Sequence, residues 1–202
     1  QEYTYAIDFM VTTLNPDDSR RAMYGPNLID EDDDEEISPA GAIAGLIARW
    51  GNDATKGIWQ NMAGTEAILY GFNGTAKKYS TAQAGKMNEV NINVIKQVAG
   101  VGIYVNGSRT LTRTQAKRYR YIGQRLNTSD IMRKIEKNTQ FATHQHIDDL
   151  LKMKVKMVCT NICDKRFRDG GLAGSSSGEA YTITHDADTD ALAEEGIFLT
   201  KV

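Results

Sequence analysis

The stretch from Ile147 to Arg168 constrains the fold most. Ile147, Leu150, Leu151, Val155, Val158, Cys159 and Ile162 recur at spacings of three and four, which lays them along one stripe of an amphipathic helix. At 3.6 residues per turn that helix makes about six turns. Gly170-Gly171 follows and supplies its stop. Lys152, Lys156 and Lys165 project elsewhere on it. A helix with one apolar stripe cannot stand alone in water, so the rest of the chain must supply a surface for it.

Short β patterns alternate with further helix signals. Tyr3 to Thr13 alternates loosely and is rich in Tyr, Ile, Phe and Val, which predicts a strand broken at Asn15-Pro16-Asp17-Asp18. Ser38-Pro39 reads as a helix start, with Ala40 to Trp50 as the helix. Ala67 to Phe72 reads as a strand with Asn73-Gly74 as its turn. Ser80 caps a short helix through Glu89, and Asn91 to Val98 follows as a strand. Ile92, Val94 and Lys96 fall on one face of that strand, and Asn93, Ile95 and Gln97 on the other. Gly102–Val105, Asn106-Gly107 and Ser108–Leu111 give a hairpin signal, because Asn-Gly suits the positive φ angles of a tight turn. A basic strand or loop leads to a helix near Ser129–Asn138, and Gln140 to Thr143 reads as a short strand. Ala180–Thr184 and Gly196–Val202 read as strands near the end.

This alternation predicts an α+β (α/β-like) fold, a single mixed β-sheet domain flanked by helices. Two divisions are expected: residues 1–37, an N-terminal strand and acidic loop leading into the core, and residues 38–202, the core itself. No apolar run approaches the roughly 20 residues that cross a bilayer, so no membrane contact is expected. The chain opens on Gln1 and shows no signal-type segment, so it is expected to be processed or part of something longer. Two cysteines cannot make a disulfide scaffold.

The formal net charge of −2 conceals strong segregation. Asp30 to Glu36 are seven consecutive acids, which predicts a solvated loop. Residues 109–137 hold nine basic and two acidic side chains, and 152–168 hold six and one. Residues 179–195 hold six acids and no Lys or Arg. Such blocks point to a partner chosen by charge.

The sequence offers no complete catalytic constellation. Cys159 and Cys163 lie four apart on the expected helix, but no matching pair completes a zinc site. His144 and His146 stand near Asp148 and Asp149, where a helix cap accounts for the acids. Gly100-Val101-Gly102 lacks the third glycine of a dinucleotide loop, and Gly85-Lys86 lacks the rest of a phosphate loop. The acidic run lacks the glycine and spaced Glu of a calcium loop. Ser175-Ser176-Ser177 has no surrounding nucleophile-elbow pattern. The chain is therefore read as a non-enzyme with no metal or cofactor; a metalloenzyme built on His144, His146 and Cys159 stands third. The basic-aromatic run Arg113 to Tyr121 has the composition of a nucleic-acid surface. An edge strand with arginines outward and tyrosines inward is the favoured explanation, and a nucleic-acid-binding module stands as the alternative function.

Several segments in order resemble the shared C-terminal region of contractile tail sheath proteins of myophages and related injection machines. They are Met23-Tyr24-Gly25-Pro26-Asn27-Leu28, the run from Ser38-Pro39-Ala40-Gly41 to Ala48-Arg49, and Lys56-Gly57-Ile58-Trp59. Asn91 to Ile95, Gly102 to Leu111, Arg118 to Ile122, Gly170 to Gly174 and Glu179-Ala180-Tyr181 follow. Two departures stand out: Gln60-Asn61-Met62-Ala63-Gly64 replaces a Pro-Ala-Asn-like stretch, and Gly51-Asn52-Asp53-Ala54 is longer than usual.

The resemblance implies a structural subunit that polymerises helically around an inner tail tube and contracts to drive the tube through a host envelope. It implies terminal arms, here expected to be truncated, that donate strands to neighbouring copies. Other copies of the chain, the tube protein, and baseplate and terminator proteins would be its partners. Its place would be a virion tail assembled in the host bacterial cytoplasm, with a role in genome ejection. Within that picture, Lys152, Lys156 and Lys165 are candidates for the tube contact. Arg113, Arg118 and Arg120 of one copy are candidates to meet Asp186, Asp188 and Asp190 of the next.

Overall fold

A computed structural model describes residues 18–53, 55–112, 119–184 and 200–202. The chain gathers into two compact units that divide between Leu126 and Asn127. The α+β class expected from the sequence is the class observed. The expected strand at Tyr3–Thr13 lies outside the described residues.

The first unit holds two sheets. One is four-stranded and mixed, in the order β1 (Met23–Gly25), β6 (Ile92–Val98), β7 (Gly102–Asn106), β4 (Ile68–Leu69). The other is three-stranded and antiparallel, in the order β3 (Glu36–Ile37), β2 (Leu28–Asp30), β5 (Phe72–Thr75). Strand β1 runs parallel to β6, with Tyr24 opposite Asn93, whereas β7 is antiparallel to both β6 and β4.

Strand β6 is covered on both faces, and its alternation decides what covers each. Ile95 joins Leu28, Ile43, Leu46, Trp50, Leu69, Ile103 and Val105 in one apolar cluster. Ile92 and Val94 join Ala84, Met87 and Leu111 in another. Helix α1 (Ala40–Asn52) supplies Ile43, Leu46 and Trp50 to the first cluster at helical spacing. Helix α2 (Thr81–Glu89) supplies Ala84 and Met87 to the second. Its start is a capping box: Ser80 Oγ accepts from Gln83 N at 3.3 Å, and Ser80 N donates to Gln83 Oε1 at 2.9 Å.

Both Asn-Gly turns expected from the sequence lie elsewhere in the fold. Asn73 and Gly74 sit inside β5, where Gly74 opposes Ile29, and the turn falls at Gly71 with φ +85°. The hairpin of the main sheet is β6–β7, turning through Gly100 at φ +78°. Gly107 instead serves close approach: a Cβ there would stand 2.8 Å from Asn93 Oδ1 and 3.1 Å from Asn93 Cα. Asn93 is fully buried and occupies that space with three bonds. Its Nδ2 donates to Met23 O at 3.1 Å and Arg109 O at 2.8 Å, and its Oδ1 accepts from Arg109 N at 2.7 Å.

Helix α3 (Ile122–Asn138) begins seven residues before the expected Ser129. Gln140–Ala142 is a single 3₁₀ turn rather than a strand, continuing from the end of α3. In the second unit, α4 (Asp149–Arg168) is the long helix of the sequence, capped by Asp148, whose Oδ1 accepts from Leu151 N at 2.7 Å. It ends in a Schellman arrangement. Gly170 takes φ +80°, Gly171 N donates to Arg166 O at 2.9 Å, and Gly170 N to Phe167 O at 3.0 Å. A short α5 (Ser177–Ala180) replaces the start of the strand expected from Ala180, and Thr184 forms an antiparallel bridge with Lys201.

Candidate interaction surface

Helix α4 has two faces of different chemistry. Leu151, Val155, Cys159 and Cys163 recur every four residues and are buried. Val155 and Cys159 pack with Ile183, Ile135, Ala142 and Tyr181. Burial raises the thiol pKa of both cysteines, Cys163 to about 11, where the neighbouring Cys159 and Asp164 add to the effect. Leu150, placed in the apolar stripe by sequence spacing, faces outward instead and is 52% exposed. Met153 and Met157, 61% and 60% exposed, continue that outward line at spacings of three and four.

Two of the three candidate lysines, Lys156 and Lys165, frame this line, and Lys152 falls toward the buried face. Lys156 and Lys165 are exposed, and at about 100° per residue they stand about 180° apart around the helix, with the Leu150–Met153–Met157 line between them. Lys152 is half-buried, with its Nζ 3.9 Å from Asp149 Oδ1. The outward face of α4 is thus an apolar centre with ammonium groups at its margins.

Beneath it lies a buried ion pair. The Arg166 guanidinium, 5% exposed, binds the Asp130 carboxylate, which also meets Lys134 Nζ at 2.7 Å. Asn127 Nδ2 donates to Gly171 O at 2.6 Å. Tyr181 OH donates to Asp164 Oδ1 at 2.5 Å, and burial together with that bond pushes its pKa up to about 12.

The expected charge partners are only partly described. Arg113, Arg118, Asp186, Asp188 and Asp190 lie outside the described residues. Arg120 is exposed, and its carbonyl accepts from Thr110 N at 2.9 Å. Arg125 stacks over the Tyr119 ring at 4.9 Å, and Tyr121 bridges Arg109. His144 and His146 are exposed while Cys159 is fully buried, so the structure does not gather them into one site. Among the described residues no group of three or more His, Cys, Asp or Glu is placed to hold a metal ion. No helix among them is long and apolar enough to cross a membrane.

Two further surfaces belong to the first unit, the acidic loop expected from the sequence and a basic groove that no sequence pattern marks. The acidic run forms the tip between β2 and β3, closed by Asp30 N donating to Glu35 O at 2.9 Å. Asp34 takes φ +56° there and accepts from Asn73 Nδ2 at 2.9 Å. A groove of about 330 Å³ opens beside the start of α2, lined among others by Lys77, Lys78, Tyr79, Ser80, Lys96 and Tyr104. Lysines scattered at 77, 78 and 96 carry no motif; only the fold brings them together.

The chain matches no protein-family model and no curated protein. It does match solved structures. One is the PVC sheath complex of an extracellular contractile injection system in the contracted state: 23% identity over 96% of this chain and 55% of that chain, TM-score 0.85. The fold is shared with contractile sheath proteins. The baseplate structure of the anti-feeding prophage matches at 23% identity over 94% and 51% of the two chains, again with TM-score 0.85. A sheath tail protein from Listeria innocua matches at 11% identity over 92% and 47%, with TM-score 0.61. The chain spans about half the length of these structures.

Proposed function

We propose that the chain is the core of a structural, non-enzymatic subunit of a contractile tail sheath. The subunit polymerises helically around an inner tube and contracts to drive that tube through a host envelope. The observation that carries the reading is the match to an injection-system sheath over 96% of this chain at TM-score 0.85. Residues 38–202 carry most of the core, and β1, β2 and β3 within residues 1–37 complete its sheets. Copies join through terminal arms that add strands to neighbouring sheets, a contact whose backbone hydrogen bonds survive rotation about a linker. Contraction draws on a metastable lattice relaxing to better packing, so no nucleotide is required.

The outward face of α4 is the surface for the tube. Leu150, Met153 and Met157 supply apolar contact, Lys156 and Lys165 meet carboxylates at its margins, and Lys152 adds positive charge nearby. Exposed ion pairs contribute about 0–1 kcal/mol each, which suits a sheath that must release its tube. Arg113, Arg118 and Arg120 pair with Asp186, Asp188 and Asp190 of the adjacent copy. Baseplate and terminator proteins close the two ends. The assembly forms in the bacterial cytoplasm and belongs to a phage virion, where it serves genome ejection, or to a phage-derived injection device.

Negative-stain microscopy of the full-length protein tests the reading. Tubular polymers are expected; monomers alone across salt, pH and concentration would overturn it.

A further inference from the structure

The seven carboxylates from Asp30 to Glu36 have no cation within ion-pair distance among the described residues. Crowding like charges on one turn is unfavourable, and no pairing inside the described fold offsets it. Lys78 and Lys96 present the converse: both line the 330 Å³ groove, and neither has a carboxylate within that distance among the described residues. Lys77 lines the same groove. The start of α2 adds the partial positive charge of its backbone N–H groups.

The two surfaces are neighbours. Asn73 donates to Asp34 at 2.9 Å, and its carbonyl accepts from Gln97 Nε2 at 3.1 Å. Gln97 also lines the groove. An acidic tip and a basic groove therefore stand side by side on one unit without pairing with each other.

We propose that the groove lined by Lys78 and Lys96 receives the acidic tip Asp32–Glu35 of a second copy of this chain. Charge complementarity selects that occupant. The tip projects carboxylates from a narrow turn, and the groove offers ammonium groups around a concave floor with Tyr79 and Tyr104. Because tip and groove are different surfaces, each copy can give one contact and receive another, which is the head-to-tail geometry of an open assembly. The proposal deepens the self-association part of the sheath reading by naming a contact for it.

Charge reversal with mixing tests it on the 202-residue chain. The groove variant carries Lys78→Glu and Lys96→Glu; the tip variant carries Asp32→Lys, Asp33→Lys and Glu35→Lys. Sedimentation at about 50 mM and about 500 mM salt brackets strong and weak screening. The wild-type chain should associate at low salt, and each variant alone should associate about tenfold more weakly or worse. An equimolar mixture should recover association, since the acidic groove of one variant now fits the basic tip of the other.

Circular dichroism checks that both variants fold. If a reversal unfolds the chain, Lys78→Gln and Asp33→Asn give the same comparison with a smaller loss. A monomeric wild-type chain at low salt overturns the proposal, as does a mixture of folded variants that fails to associate. So does a groove variant that loses binding to a short DNA duplex while its self-association is unchanged, which would assign the groove to nucleic acid. Missing tubes in the microscope would count against the sheath and leave this contact standing. Tubes that persist without charge-swap recovery would count against this contact alone.

Discussion

Replacing Asn93 by Ala should cost the first unit more stability than any surface substitution, and the structure sets the magnitude. Asn93 is fully buried and makes three bonds to the main chain at Met23 and Arg109. Truncation leaves the Arg109 N–H without that acceptor, an orphaned donor worth about 1–3 kcal/mol. Two carbonyls lose a donor at about 0.5–1.5 kcal/mol each, so the total is about 2–6 kcal/mol. That is a large fraction of the roughly 5–15 kcal/mol by which a domain is stable. Both tryptophans, Trp50 and Trp59, belong to the first unit, so their fluorescence during urea unfolding reports on that unit. With a slope of about 2 kcal/mol per molar, the midpoint should fall by about 1–3 M. Asn73→Ala is the control. Asn73 bonds Glu31 O at 3.3 Å and Asp34 Oδ1 at 2.9 Å from an exposed position, where water replaces it, so the loss should stay near or below about 0.5 kcal/mol. A cost for Asn93→Ala below about 1 kcal/mol would refute the idea that this side chain holds β1, β6 and the segment at Arg109 together.

Two further outcomes concern the second unit. Asp130→Ala strips the buried Arg166 guanidinium of its carboxylate and should cost about 3–5 kcal/mol in thermal unfolding, whereas Arg166→Met, which removes the buried charge itself, should cost clearly less. Tyr181 has a folded pKa raised to about 12 from the ordinary value near 10. Its contribution is fully present below pH about 10 and is lost as pH rises through about 12; Tyr181→Phe should flatten the alkaline limb of a pH–stability curve read by circular dichroism.

The elements legible in the sequence were those whose signals are local. The cap at Ser80 is a local signal, and the structure has it, completed to a capping box by Gln83. The length and stop of α4 were legible for the same reason. The alternation Ile92/Val94 against Asn93/Ile95 was legible because a strand imposes it whatever packs outside. What failed depended on partners distant in sequence. Asn106-Gly107 has hairpin composition, yet its glycine makes room for Asn93, fourteen residues upstream. Asn73-Gly74 lies in β5 because β2, more than forty residues away, pairs with it. Leu150 keeps helical spacing with the buried stripe but sits off its centre, and only the packed neighbours decide which edge is covered. The candidate surfaces were harder still. A count of charges exposed the acidic run, but no sequence pattern joins Lys78 to Lys96 across a helix and a strand.

The distribution of charge separates what folds the chain from what assembles it. The two clusters of the first unit are apolar, and the buried node between them is a neutral amide. Little of the fold in that unit rests on charge, so added salt should leave its unfolding nearly unchanged. Its acidic tip and lysine groove are screened strongly over distances beyond about 8–10 Å at ordinary ionic strength. A protein under selection only for solubility gains from mixing its charges, since single-sign patches raise self-repulsion. Segregated patches resting on a neutral core make association adjustable without putting the fold at risk, and salt is the variable that tells the two apart.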